Sequence, residues 1–111
     1  GTPAADRDAF EILSASDEEL LEHFGAWYIA DRDPRYLRRN ALVAMANSVP
    51  TGDSQAVAVI GHYLSDPDPL LRAHAVWAAA RVGRPDLLGE AGDEPDPTVR
   101  EEIERVVGRG S

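Results

Sequence analysis

At 111 residues and a net charge of −9, with no cysteine, the chain has room for one domain with a modest core, and it excludes a disulfide framework, cysteine-ligated zinc, a cysteine nucleophile and an iron–sulfur site of its own. Its three histidines, at 23, 62 and 74, fall in no HxxxH or HxxE spacing, so a metal site is not expected. No cofactor is expected in this chain. No apolar run approaches a membrane span and no signal-peptide pattern is present, which predicts a soluble, cytoplasmic protein.

Thr2-Pro3 can open a short first helix carrying Phe10 and Leu13. Ser16-Asp17-Glu18-Glu19 has the form of a capping box ahead of Leu20, Leu21 and Phe24, and predicts a second helix over 17–28 that Trp27 and Tyr28 anchor. Residues 29–33 then connect to a helix over 34–47, broken by Pro50-Thr51-Gly52. Asp53 can cap a helix through Ala56, Val57, Val59, Ile60, Tyr63 and Leu64, and Asp68 the next, over 69–82, which stops at Gly83. Residues 85–88 allow about one turn before an acidic loop containing Gly and Pro. Asp96 caps the last helix, over 97–107, with Gly108 as its end. Nothing alternates with period two, so the fold class is all-α.

One phrase recurs three times. Asp33-Pro34-Arg35-Tyr36-Leu37-Arg38, Asp68-Pro69-Leu70-Leu71-Arg72 and Asp96-Pro97-Thr98-Val99-Arg100 each open an alanine- or valine-rich stretch. Arg38 to Arg72 is 34 residues and Arg72 to Arg100 is 28, roughly the length of a helix pair. That period predicts helical repeats stacked into a short α-α superhelix of about three units, each burying its apolar face against its neighbours. Overlaid at an offset of 34, the 34–47 and 69–82 helices share a core stripe: Leu37, Ala41, Ala44 and Met45 on one, Leu71, Ala75, Ala78 and Ala79 on the other. Val99, Ile103, Val106 and Val107 continue it on the last helix, and Leu42, Ala46, Val76 and Ala80 form a second, less regular apolar patch. Each Asp suits an N-cap and each Pro the first helical position. Arg38, Arg72 and Arg100 are read as a structural ladder, paired with the Asp of their own or an adjacent repeat.

Charge is unevenly spread. Residues 1–33 carry nine acids against two arginines, residues 34–84 six arginines against three aspartates, and residues 85–111 eight acids against three arginines. The middle repeats are therefore mildly basic between acidic ends, and all eleven basic residues are Arg, the side chain whose planar fork suits phosphate. A polar stripe lies across the helices: Asn40 and Asn47, then His74 and Arg81 with Trp77 beside them, then Glu102 and Arg109. Stacking the repeats would bring these side by side, and Arg35 and Arg39 add charge nearby. Amides, an imidazole, guanidiniums and an indole suit hydrogen bonding and stacking with a ligand. The same positions would also serve as plain solvated or inter-helix contacts. The carboxylates at 17, 18, 19 and 22 and at 101, 102 and 104 read as polar faces of terminal helices, and His23 and His62 as packing or surface residues.

The Asp-Pro-x-Leu/Val-Arg phrase followed by an alanine-rich helix resembles HEAT-type repeats, spread over 17–107. Phe24-Gly25, then Arg35-Tyr36-Leu37-Arg38-Arg39-Asn40-Ala41-Leu42-Val43-Ala44-Met45-Ala46-Asn47-Ser48, then Pro69-Leu70-Leu71-Arg72-Ala73-His74-Ala75-Val76-Trp77-Ala78, resembles the C-terminal part of the epoxyqueuosine reductases, enzymes of queuosine biosynthesis in tRNA. The resemblance implies that residues 1–111 are one HEAT-like repeat domain, excised from the C-terminal region of a longer oxidoreductase. That family's cobalamin and two 4Fe-4S clusters belong to regions with no counterpart here. It implies a non-catalytic module, a monomer, that helps to hold tRNA weakly through its basic middle repeats, beside the catalytic domain of the same polypeptide. The resemblance assigns no individual contacts; the stripe and the charge nominate Arg35, Arg39, Asn40, His74, Arg81 and Arg84 for the RNA. The alternative is a HEAT-type protein–protein interaction scaffold with no nucleic-acid role, its acidic ends meeting a basic partner. A self-contained hydrolase or lyase lacks a nucleophile–base pair or a metal set.

Overall fold

The computed structural model describes residues 3–24, 34–89 and 91–110, and all their regular structure is helical. In chain order these residues form α1 (Pro3–Ser14), α2 (Asp17–Phe24), α3 (Pro34–Ser48), α4 (Ser54–Tyr63), α5 (Pro69–Arg81) and α6 (Pro97–Gly110), with 3-10 turns at Pro85–Leu87 and Ala91–Asp93. The Asp33 cap, the anchoring role of Trp27 and Tyr28, and the 29–33 connector lie outside the described residues.

Local chemistry places the helix starts. Ser16 and Glu19 form a reciprocal capping box: the Glu19 amide donates to Ser16 Oγ and the Ser16 amide to Glu19 Oε1, both at 3.1 Å. The backbone hydrogen bond from Ser16, the larger effect, holds the Glu19 carboxyl below its ordinary range. Asp53 Oδ2 accepts from the Ala56 amide at 2.9 Å, Asp68 Oδ1 from Leu70, and Asp96 Oδ1 from Thr98 and Val99. The end of α5 is a Schellman turn. Gly83 takes φ +80°, its amide reaches the Ala80 carbonyl, and the Arg84 amide reaches that of Ala79. α6 runs on past the stop expected at Gly108, to Gly110.

α3 and α5 form the spine: α1 packs on α3, α3 on α5, α4 and α6 on α5. Ala9 and Leu13 of α1, Ala41, Leu42, Met45 and Ala46 of α3, Ala56, Ile60 and Tyr63 of α4, and Leu71, Ala75, Ala78 and Ala79 of α5 make one buried cluster. Val76, Val99 and Ile103 make a second between α5 and α6. The burial corrects the predicted stripe. Ala44 is exposed and Leu37 half-buried, whereas Leu42 and Val76, read as a secondary patch, are among the most buried side chains. A helix held between its own partner and the next repeat buries two sides, so its true centre lies between the two stripes. Val107 of the predicted α6 stripe is half exposed, at 50%.

The recurring arginines are structural, with partners other than the capping aspartates. Arg38 pairs with Asp17 and also donates to the Ala15 carbonyl, tying α3 to the α1–α2 junction. Arg72 places its fork on Glu94, 3.0 Å from each carboxylate oxygen, and its remaining arm on the carbonyls of Asp66 and Pro67. Arg100 donates to the Glu94 carbonyl. The acids two residues before the Asp68 and Asp96 caps are reused as well: Asp66 accepts from the Asp68 amide and Glu94 from the Asp96 amide, both at 2.8 Å.

Tyr63 links the other layer. Its hydroxyl donates to the Leu13 carbonyl at 2.6 Å in a buried setting, and burial pushes its phenol upward from the usual value. Tyr63→Phe should cost about 1–2 kcal/mol, because the carbonyl keeps its desolvation and loses its donor. Chemical denaturation that shows no loss would mean that water replaces the hydroxyl there.

Candidate nucleic-acid interface

The offset of 34 residues that aligns α3 with α5 has a direct structural consequence. Arg81, in the last turn of α5, donates from Nε to Asn47 Oδ1 of α3 at 2.9 Å, across 34 positions of sequence. The polar stripes of two successive units are thus one continuous face. Seven residues back on α3, Arg39 donates through Nε and Nη2 to Asn40 Oδ1 at 3.2 and 3.1 Å. Asn40, Asn47 and Arg81 are exposed, and Arg39 is half-buried.

The six nominated residues separate by partner. Arg35 is bound to Asp68, 2.8 Å away, so it braces the start of α5 as well as adding charge. Arg84 is clasped by Asp86 at 2.8 Å, and that hydrogen bond holds the Asp86 carboxyl below its ordinary range. Both cations are therefore compensated by a carboxylate. Arg39 and Arg81 reach neutral amides, so their charge is uncompensated by those partners. His74 Nδ1 lies 2.9 Å from the Leu70 carbonyl. A carbonyl only accepts, so Nδ1 carries the proton, and a neutral His74 offers Nε2 as an acceptor. Trp77 packs half-buried against the main core, which makes it more an anchor for α5 than a free stacking surface. Glu102 is held by Arg105 on its own helix, and the Arg109 side chain lies outside the described residues.

Tyr36 belongs to this face and was missed by sequence reasoning. It is 40% exposed, and the guanidinium carbons of Arg35 and Arg39 lie 5.5 and 5.2 Å from its ring centroid. Its signal was present in the sequence for Arg39: an aromatic three residues before an Arg shares a helix edge with it. Among the described residues, no three of His, Asp and Glu come together as a metal-ligand set. A cleft of about 170 Å³ between α5, α6 and the 87–94 segment, lined by Leu64, Val76, Leu88, Val99, Arg72 and Glu94 among others, shares no residue with the arginine–asparagine face. No helix of the described residues is long and apolar enough to cross a membrane.

Residues 21–108 match the family described as HEAT repeats. The epoxyqueuosine reductase of Bacillus cereus is 33% identical over 81 residues, covering 72% of this chain and 20% of that protein, and the Bacillus anthracis enzyme matches equally. The Bacillus subtilis epoxyqueuosine reductase is 29% identical over 100 residues, covering 86% of this chain and 25% of that protein. The chain thus spans a quarter or less of the length of these curated relatives. No solved structure matches it significantly.

Proposed function

This chain belongs to the HEAT-repeat family, and from that premise we propose that it is a non-catalytic module that holds tRNA against the catalytic domain of an epoxyqueuosine reductase-like oxidoreductase. Its relation to a segment of those enzymes supplies the context. The observation that carries the reading is the Arg81–Asn47 bond, which joins two repeats into one donor-rich surface on the basic middle of an otherwise acidic chain. In this reading Arg39 and Arg81 supply the charge, Asn40, His74 and Tyr36 flank them, and Arg35 and Arg84, each with a carboxylate partner, contribute less. Cobalamin and iron–sulfur chemistry would belong to the catalytic domain. With −9 overall, the module steers a polyanion poorly, so its own affinity is weak and its contribution is placement.

Fluorescence anisotropy with labelled tRNA, at low and physiological salt, tests this. The full chain should bind weakly and lose affinity as salt rises. Arg39→Ala with Arg81→Ala should remove most of the binding and flatten the dependence of log K on log salt by about one per arginine. A second reading has its own observation: Glu18, Glu22, Glu101 and Glu104 are exposed on α2 and α6, a surface suited to a basic protein. Absence of RNA binding even at low salt would favour that scaffold role.

A further inference from the structure

We propose that the two arginine–asparagine couples, Arg39–Asn40 and Arg81–Asn47, form a two-point site for the phosphodiester backbone of a polynucleotide, indifferent to the bases; this rests on the RNA-holding reading above. Guanidinium N–H groups only donate, so each amide must turn its Oδ1 inward to accept from its arginine, as the 2.9 Å and 3.1–3.2 Å contacts record. Each amide then turns its two N–H groups away from the guanidinium. Arg81 keeps its four terminal N–H groups beyond the bond made by Nε, and Arg39 keeps three. Each couple therefore offers hydrogen-bond donors and positive charge.

That chemistry selects its ligand. A phosphate oxygen only accepts, and a cation beside two amide donors complements it. Reading adenine would require the asparagine to present Oδ1 and Nδ2 together, and here the arginine occupies the oxygen side. Asn40 and Asn47 stand two helical turns apart on α3, about 10 Å along its axis, so the pair spans more than one phosphate of a strand. Coupling to a neutral amide also preserves each arginine's charge, which the carboxylate partners of Arg35 and Arg84 do not.

Asn40→Asp with Asn47→Asp provides the test. The double substitution keeps shape, turns each couple into an ion pair and removes the amide donors from an exposed surface. The full chain and the variant would be titrated with tRNA and with oligo(U), oligo(A) and oligo(C) of equal length, with thermal melts confirming that both are folded. The parent should bind the three homopolymers within about threefold of one another, and the variant should lose about tenfold or more on every RNA. A variant that binds tRNA as well as the parent would overturn the two-point site and leave the RNA-holding reading standing. Discrimination of more than about tenfold among homopolymers would overturn its indifference to bases. No binding of any RNA by the parent would overturn both.

Discussion

Arg72→Ala should lower the stability of the chain by about 2–3 kcal/mol and loosen the segment between α5 and α6 before the rest of the molecule unfolds. Arg72 is the most heavily used of the ladder arginines, with a two-pronged bond to Glu94 and a third arm on the Asp66 and Pro67 carbonyls. Its side chain is 16% exposed and that of Glu94 is 10% exposed, so removing the guanidinium strands a carboxylate with little access to water. It also releases the turn before α5 and the stretch between α5 and α6, where two 3-10 turns stand in for a helix. Arg72→Lys should recover little, because a single ammonium cannot span both carboxylate oxygens. Hydrogen exchange should show faster exchange over 84–95 in the variant, and an unchanged pattern there would show that the segment is held by its apolar contacts alone.

The same pair sets a pH dependence. The hydrogen bonds from Arg72 hold the Glu94 carboxyl below its ordinary range, and the bond to Glu94 raises Arg72 in turn. A carboxylate with a depressed folded pKa stabilises fully above its unfolded value, about 4.3, and loses that contribution as pH falls through the lower folded value. Stability should therefore fall on acidification below about pH 4.5, with a shallower slope in Arg72→Ala and in Glu94→Gln. Equal slopes in all three proteins would assign the acid sensitivity to other carboxylates.

Gly83→Ala should cost about 2 kcal/mol or more, for two reasons that add at one site. The first is the backbone: φ is +80°, a conformation that a Cβ disfavours. The second is space, since a Cβ at position 83 would lie 2.7 Å from Thr51 Cγ2. Thr51 sits in the loop whose Gly52 amide donates to the Val82 carbonyl at 2.8 Å, so the clash would push that loop from the end of α5. Pairing Gly83→Ala with Thr51→Ser separates the terms, because it removes the clashing methyl and leaves the dihedral penalty. Urea denaturation should show partial recovery in the pair. Full recovery would mean that the backbone term is negligible, and no recovery that the loop moves aside freely.

What could be read in the chain was what its chemistry decides locally. The Asp-Pro starts at 68 and 96, the capping box at 16–19 and the glycine stop at 83 are each settled within a few residues, and each stands where expected. The repeat offset went further, since it placed Asn47 beside Arg81 before any coordinates. It could not show which acids the arginines would choose. Glu94 lies in a loop that reads as a solvated acidic run, and only the fold returns it to Arg72, 22 residues away. Arg35 likewise meets Asp68 only because α3 and α5 lie side by side. The burial error at Ala44 and Leu42 has one cause: a wheel centred on a single stripe cannot represent a helix with neighbours on two sides. Of the six nominated residues, the chemistry of each was legible, but the pairing that compensates Arg35 and Arg84 while leaving Arg39 and Arg81 on amides was not.

The most direct measurement is an NMR titration of the isotopically labelled full chain with tRNA, following backbone amides, arginine Nε–H and asparagine side-chain Nδ2–H₂ signals. Shifts should concentrate on Tyr36, Arg39, Asn40, Asn47, His74 and Arg81 and fade as salt is added, with the acidic surfaces of α2 and α6 unmoved. Shifts centred on α2 and α6, or a spectrum that tRNA leaves unchanged at low salt, would contradict it.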